Sequence, residues 1–296
     1  MSMSYNDRRA VFKDKVAGAM YGFAIGDAMG ATTEFMTRRQ VAVTYGEVHD
    51  IIGGGWLGLE PGQVTDDTEM MLCVAEAYEA STACGMPFDK EVAKRFIGWY
   101  KSGPVDIGNA CRQGILQLMQ SWPTVHDEVN EQALGNGALM RALPLAIVDN
   151  FDANWVQAKM THSNDAQRYY VKQYHNMVVY FLYGHRYGEP VGWQPYKDED
   201  ERDFVQPSGH VADTLYHVVW WNMTRHSFRD VIVGAVNNGG DADTIAALAG
   251  GLAGAKYGWQ NIPKEWVEQL DSGVKGRLDK SIDFLVSCCL GRHYDV

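Results

Sequence analysis

Gly239-Gly240-Asp241-Ala242-Asp243-Thr244-Ile245-Ala246-Ala247-Leu248-Ala249-Gly250 puts two carboxylates and a hydroxyl at the mouth of a segment built from small apolar residues. Paired glycines interrupt what precedes them, and alanine and leucine are strong helix formers, so a helix is expected to open near Asp241. A second cluster, Thr65-Asp66-Asp67-Thr68, precedes another helical stripe: Met70, Met71, Val74, Ala75 and Tyr78. Thr65 and Asp66 suit an N-cap, and Asp66 with Glu69 has capping-box spacing. Capping explains one acid at a helix mouth. It does not explain two adjacent ones, which repel unless a cation lies nearby. The expectation is that the two mouths meet around divalent metal, although spacing alone does not establish that they converge.

Outward from these mouths, the chain reads as a succession of helices. Val16, Ala19, Met20, Phe23 and Ala24 fall at helical spacing within Val11 to Gly30. Gly18, Gly22 and Gly26 cost helix propensity there but admit another helix at close range. Asp27 is unusual in so apolar a setting, and Glu34 follows; a cap or loop carboxylate is the plainer reading of both. Residues 40–64, with Gly53-Gly54-Gly55 and Pro61-Gly62, read as an irregular connection or flap. Phe88 to Lys101 is a helix ending at Gly103-Pro104, and Asp106 stands at the entrance of an amphipathic helix through Met119. Asn136-Gly137 signals a turn whose N–H groups are free to meet a phosphate. Arg141 pairs either with such a phosphate or with an acid. Thr161-His162-Ser163-Asn164 is a polar break before a helix running through Tyr183. Residues 184–209, with three prolines and the acidic run Asp198 to Asp203, read as a solvated surface loop. Val211 to Met223 and Phe228 to Val236 are helices, and the last ones carry Trp259, Trp266, Leu270, Leu278, Ile282, Phe284 and Leu285. No stretch alternates with period two. The expected fold class is all-α, with ten or more helices.

The chain has 296 residues, 46% of them hydrophobic, enough for one sizeable core. Without a linker or composition break, residues 1–296 are expected to form a single domain. The formal net charge of −11 leaves no basic footprint for nucleic acid. The polar start lacks a signal peptide, and the longest apolar runs are too short to span a bilayer. Five cysteines with no CxxC pair suit neither a disulfide framework nor a zinc site, so a reduced, cytoplasmic setting is expected.

Asp66, Asp67, Asp241 and Asp243, with the hydroxyls of Thr65 and Thr244, are hard oxygen ligands. They suit Mg²⁺ or Mn²⁺ and lack the sulfur and imidazole that zinc prefers. Two ions about 3.5–4 Å apart would relieve the repulsion among four gathered acids.

The segments Gly26-Asp-Ala-Met-Gly30 with Ala31-Thr-Thr-Glu-Phe35, Thr65 to Thr68, Val105-Asp-Ile-Gly-Asn109, Asn136-Gly-Ala-Leu-Met-Arg141, Thr161-His162 and Gly239 to Gly258 resemble the ADP-ribosylglycohydrolase family, bacterial dinitrogenase-reductase-activating members above all. They run in the family's order over roughly residues 18–258. The resemblance implies a compact, orthogonal all-helical bundle with two Mg²⁺ or Mn²⁺ ions on Thr65, Asp66, Asp67, Asp241, Asp243 and Thr244. It matches Glu34 to a mobile acid near the metals and Asp106 to the proton-transfer group. It assigns ADP-ribose contacts to Gly108, Asn109, Asn136, Gly137, Ala138, Met140 and His162. The implied activity is hydrolysis of the bond between ADP-ribose and a modified side chain, arginine foremost, on a protein or a small conjugate, releasing ADP-ribose from a monomeric enzyme. ADP-ribosyl-serine, O-acetyl-ADP-ribose and free ADP-ribosyl-guanidine remain alternative substrates, and a non-catalytic crystallin-like role remains the alternative class. Two departures bear on substrate preference: His210 stands where a tyrosine is expected, and Ala110 where a threonine is common.

Overall fold

The computed structural model describes residues 5–121, 130–184 and 205–293. The expected surface loop at 184–209 and its acidic run fall mostly on 185–204, outside the described residues. Thirteen α-helices lie within them. They are α1 (Tyr5–Gly30), α2 (Arg38–Tyr45), α3 (Asp66–Cys84), α4 (Phe88–Lys101), α5 (Asn109–Gln120), α6 (Leu143–Ile147), α7 (Phe151–Lys159), α8 (Asp165–Tyr183), α9 (Val211–Thr224), α10 (Phe228–Asn238), α11 (Ala242–Tyr257), α12 (Lys264–Gln269) and α13 (Ser272–His293). Extended pairing is confined to three isolated bridges among the described residues. The fold is all-α.

Two helices form its axis. Ala242 to Ala255 of α11 are buried on every side, as is α1 from Gly18 onward. Each is short of large side chains on the face it turns to the other, which lets the backbones touch. A Cβ on Gly18, Gly22, Gly26 or Gly30 would meet the backbone carbonyl oxygen of Gly254, Gly250, Ala246 or Ala242 at 2.5, 2.4, 2.0 and 2.4 Å. The steps are four residues on both helices and run in opposite directions. This antiparallel ladder sets the C-terminal end of α1 beside the N-terminal end of α11. The remaining helices wrap the pair: α9 and α10 lie along α11, α13 packs on α1 and α3, and α4 packs on α3.

The expectation of irregular chain from residue 40 is corrected at its start, where residues 38–45 are α2. Its signal is a capping box: Thr37 Oγ1 accepts from Gln40 N, and Gln40 Oε1 accepts from Thr37 N at 2.7 Å. The polar break at Thr161 to Asn164 ends in the N-cap of α8, whose Asn164 side chain accepts from Gln167 N. No helix among the described residues is long and apolar enough to cross a membrane. All five cysteines are free.

Candidate metal centre and cleft

The mouth of α3 is held by a residue of a different helix. Asp27, fully buried on α1, accepts from Thr65 N at 3.1 Å and Thr68 N at 3.0 Å. It therefore satisfies N–H groups that every helix start leaves open. Thr65 is the N-cap, its hydroxyl accepting from Asp67 N at 3.3 Å. The Asp66–Glu69 capping box does not form: Asp66 is already inside the helix and its Oδ2 accepts from Gly108 N at 3.4 Å. Capped from outside, α3 keeps the carboxylates of Asp66 and Asp67 in its first turn for other partners.

The mouth of α11 comes to meet it. Gly239 and Gly240 have φ of 71° and 70°, and a Cβ on either would strike a backbone oxygen, Met36 O or Pro207 O. Only glycine fits two such positions. The turn is pinned by Gly240 N donating to Met36 O at 2.8 Å and Phe35 N donating to Gly240 O at 2.7 Å. Thr244 Oγ1 then donates to Asp67 Oδ2 at 3.1 Å, joining two mouths 177 positions apart in sequence. Thr65 Oγ1 reaches the same carboxylate at 3.4 Å. Asp241 accepts from Asn136 Nδ2, and Asp243 accepts from Thr244 N at 2.8 Å.

Two groups of three carboxylates result, Asp27 with Asp67 and Asp243, and Glu34 with Asp241 and Asp243. Within each, ligand atoms lie within 4.8 Å of one another, and Asp243 belongs to both. None of these acids forms an ion pair with a described residue. Burial is the largest influence on every one of them and disfavours the charged form. It lifts Asp27 and Asp241 to about 6 and Glu34 and Asp66 to about 8, and it drives Asp67 and Asp243 well above the usual carboxylate range, with neighbouring acids adding to the effect on most of them. Buried, oxygen-only donors lacking a positive partner fit hard divalent cations, and a shared central carboxylate fits two of them.

Above this floor lies a cleft of about 480 Å³, within the range of small-molecule sites. Of the residues expected to serve the site, Glu34, Asp66, Asp106, Gly108, Asn109, Asn136, Gly137, Met140, His162, Asp241, Asp243 and Thr244 line it. Thr65 and Asp67 are buried below. Ala138 does not line it: the residue is fully buried, and its carbonyl accepts from Gln157 Nε2 at 3.1 Å. Asp106 does not cap α5, whose N-cap is Gly108. Its Oδ1 accepts from Ile107 N at 2.7 Å, and partial burial raises its pKa. His210 caps α9, accepting from Ala212 N through Nδ1.

Arg141 corrects a second expectation, since it meets neither the cleft nor an acid. Its fully buried guanidinium donates to Gln157 Oε1, Gln157 O and Thr161 Oγ1 and lies 4.7 Å over the Phe96 ring.

Sequence reasoning missed the rim. Phe35 and Trp56 are 67% and 54% exposed, with ring centroids 5.3 Å apart, and Trp56 Nε1 donates to Glu34 Oε2 at 2.6 Å. Phe35 holds φ at 60°, a strained value for a phenylalanine. The rings, the carboxylates and the absence of any lysine or arginine from the described lining give the cleft a strong preference for positive charge.

An all-helical protein with an acid-floored cleft is the class that fold and site define, and comparison with known proteins makes it specific. Residues 8–291 match the family model described as ADP-ribosylglycohydrolase. The chain is 37% identical to the ADP-ribosyl-[dinitrogen reductase] glycohydrolase of Rhodospirillum rubrum, over 93% of this chain and 96% of that one. It is 33% identical to the ADP-ribosylarginine hydrolase Tri1 of Serratia proteamaculans, over 87% of this chain and 75% of that one. Among solved structures, an ADP-ribosylglycohydrolase-related protein complex superposes with a TM-score of 0.75 at 26% identity, covering 95% of this chain and 98% of that one. The chain belongs to the ADP-ribosylglycohydrolase family.

Proposed function

We propose that this protein is a binuclear-metal hydrolase that cleaves the N-glycosidic bond between ADP-ribose and an arginine side chain, reversing mono-ADP-ribosylation. The observation that carries the reading is the pair of carboxylate groups sharing Asp243 at the floor of a cleft whose described lining holds no lysine or arginine. Asp27, Glu34, Asp66, Asp67, Asp241 and Asp243 would hold two Mg²⁺ or Mn²⁺ ions, with Thr65 and Thr244 orienting Asp67 by hydrogen bonds. When bound, such ions supply positive charge to sugar hydroxyls and acidify water.

The chain's own groups do the rest. Asp106 stands in the cleft with a carboxyl that burial raises toward the working range of a proton carrier, and it transfers the proton between water and leaving group. Glu34, held by Trp56, closes the floor on the side of the rim. The turn at Asn136-Gly137, with Gly108, Asn109, Met140 and His162, seats the ADP-ribose. A cationic guanidinium at C1″ is the acceptor that an acidic, aromatic rim fits best, and the name of one relative, the ADP-ribosylarginine hydrolase Tri1, agrees with arginine.

Release of ADP-ribose from ADP-ribosyl-arginine, run beside ADP-ribosyl-serine, tests the reading. Turnover of the arginine conjugate is expected, abolished by EDTA and restored by Mn²⁺ or Mg²⁺. Full turnover by Asp67→Ala or Asp241→Ala would refute the mechanism, and faster release from serine would refute the acceptor.

A further inference from the structure

Behind the cleft wall, a chain of hydrogen bonds runs from a buried cation to one ring nitrogen of His162. Arg141 Nη2 donates to Thr161 Oγ1 at 2.7 Å, and Thr161 Oγ1 lies 2.6 Å from His162 Nδ1. Arginine has donors and no acceptor, so the first bond has only one direction. The threonine oxygen therefore accepts from Arg141 and has a single proton left to give. Nδ1 is the strong acceptor beside it. The other neighbour, the sulfur of Cys111, is a weak acceptor and already faces Arg141 Nη1 at 3.5 Å. Donation to Nδ1 leaves the imidazole proton on Nε2. That nitrogen has no partner among the described residues, although His162 is 99% buried, and it lies beside Gly135 and Gly137, which line the cleft.

We infer that Arg141 and Thr161 are positioning residues that lock His162 as the Nε2–H tautomer and so aim one neutral donor into the cleft. Burial first, and the Arg141 charge second, hold the imidazole pKa down to about 3. The donor therefore keeps one form throughout the physiological range. The ligand group it suits is an oxygen acceptor. Resting here on the function proposed above, that is an oxygen of the ADP-ribose diphosphate or ribose.

Two-bond ¹H–¹⁵N correlation spectra of histidine-labelled, ligand-free protein read the tautomer directly. Wild type is expected to show protonated Nε2 and bare Nδ1 at His162. Thr161→Val, which keeps the shape but removes the hydroxyl, should mix the tautomers, and Thr161→Ser should restore the wild-type pattern. By calorimetry, ADP-ribose should bind Thr161→Val about tenfold more weakly, and KM should rise with kcat within about threefold, as loss of one oriented donor predicts. Wild-type protein carrying the proton on Nδ1, or Thr161→Val with the wild-type tautomer, would overturn the inference. The spectra need no ligand, so failure of ADP-ribose to bind would count against the function reading and leave the tautomer result standing.

Discussion

Gly26→Ala tests whether the α1–α11 contact builds the site. The added Cβ would stand 2.0 Å from Ala246 O, 2.4 Å from Ala246 C and 2.7 Å from Ala247 N, all of them backbone. No side chain can swing aside, so the helices must part until that first separation reaches at least 3.4 Å, where ordinary contact begins. Overpacking costs about 1–3 kcal/mol, and a backbone-on-backbone clash sits at the upper end. Alanine returns about 1 kcal/mol of helix propensity, for a net loss of roughly 2 kcal/mol. At about 2.1 cal/mol/K per residue, a chain of 296 residues shifts by about 1.6 °C per kcal/mol, so Tm should fall by about 3 °C. The shift also moves Asp243 relative to Asp27 and Asp67, and a misplacement of about 1 Å costs up to about 100-fold in activity. Gly98→Ala is the control. It lies within α4, where an added Cβ meets nothing within 4 Å, so it should stabilise by about 0.5–1 kcal/mol. Thermal melts with EDTA and with Mn²⁺, and Mn²⁺ affinity by calorimetry, read both effects. If Gly26→Ala melted like Gly98→Ala and bound Mn²⁺ like wild type, the ladder would not be what sets the site.

Three further outcomes follow from the buried acids. In EDTA, Tm should fall as pH rises from 5 to 8. Unfolded carboxyls titrate near 4, while Glu34 and Asp66 hold protons to about 8, so the folded state binds more protons and loses about 1.4 kcal/mol per pH unit for each excess one; a flat or rising Tm would contradict this. Asp243→Asn should be more stable than wild type in EDTA at pH 7.5, by roughly 1–2 kcal/mol, because folding no longer has to force a proton onto this buried carboxyl, yet it should lose the Mn²⁺-induced rise in Tm. Trp56→Phe deletes the N–H that favours ionised Glu34, so ¹³C titration of the metal-free protein should place the Glu34 midpoint above its wild-type value.

The acid-bearing mouths were legible because their signal is local. Paired glycines before Asp241 and paired acids after Thr65 both stand within a single turn of chain. The small-residue stripe of α1 announced that a helix would approach closely, and only the structure named α11. Asp27 reads as a cap or loop carboxylate, and it does cap a helix, but which helix was hidden, since its partners, Thr65 N and Thr68 N, are 38 and 41 positions away. Arg141 was misjudged for the opposite reason. Its neighbours in sequence place it at a turn expected to bind phosphate, whereas its fate depends on Gln157, Thr161 and Phe96 packing over it. Phe35 and Trp56 left no trace, because an exposed aromatic in an irregular segment has no periodicity to betray it. Thr37 and Gln40 did carry a capping box, on a helix with only one buried residue, Val41, too few to make a stripe.

Placing carboxylates at helix mouths is a compromise between two opposed fields. A carboxylate in the first turn gains about 0.3–1 kcal/mol, at most about 2, from the aligned N–H groups. Burial, with the neighbouring acids Asp106 and Asp27 adding to it, takes back more than that: Asp66 sits in the first turn of α3 and is still lifted from 3.8 to about 8. The helix dipoles cannot supply the missing positive charge, and no lysine or arginine is present in the described lining to do so. Nor can the acids drift apart, since the glycine ladder fixes α1 to α11 and Asp27 fixes α3 to α1. With cations bound as proposed above, a site built this way is costly when empty and neutralised when they arrive, so metal affinity and folding stability become a single quantity. That coupling explains why the ladder, a stretch of packing with no chemistry of its own, belongs to the site as much as the acids do.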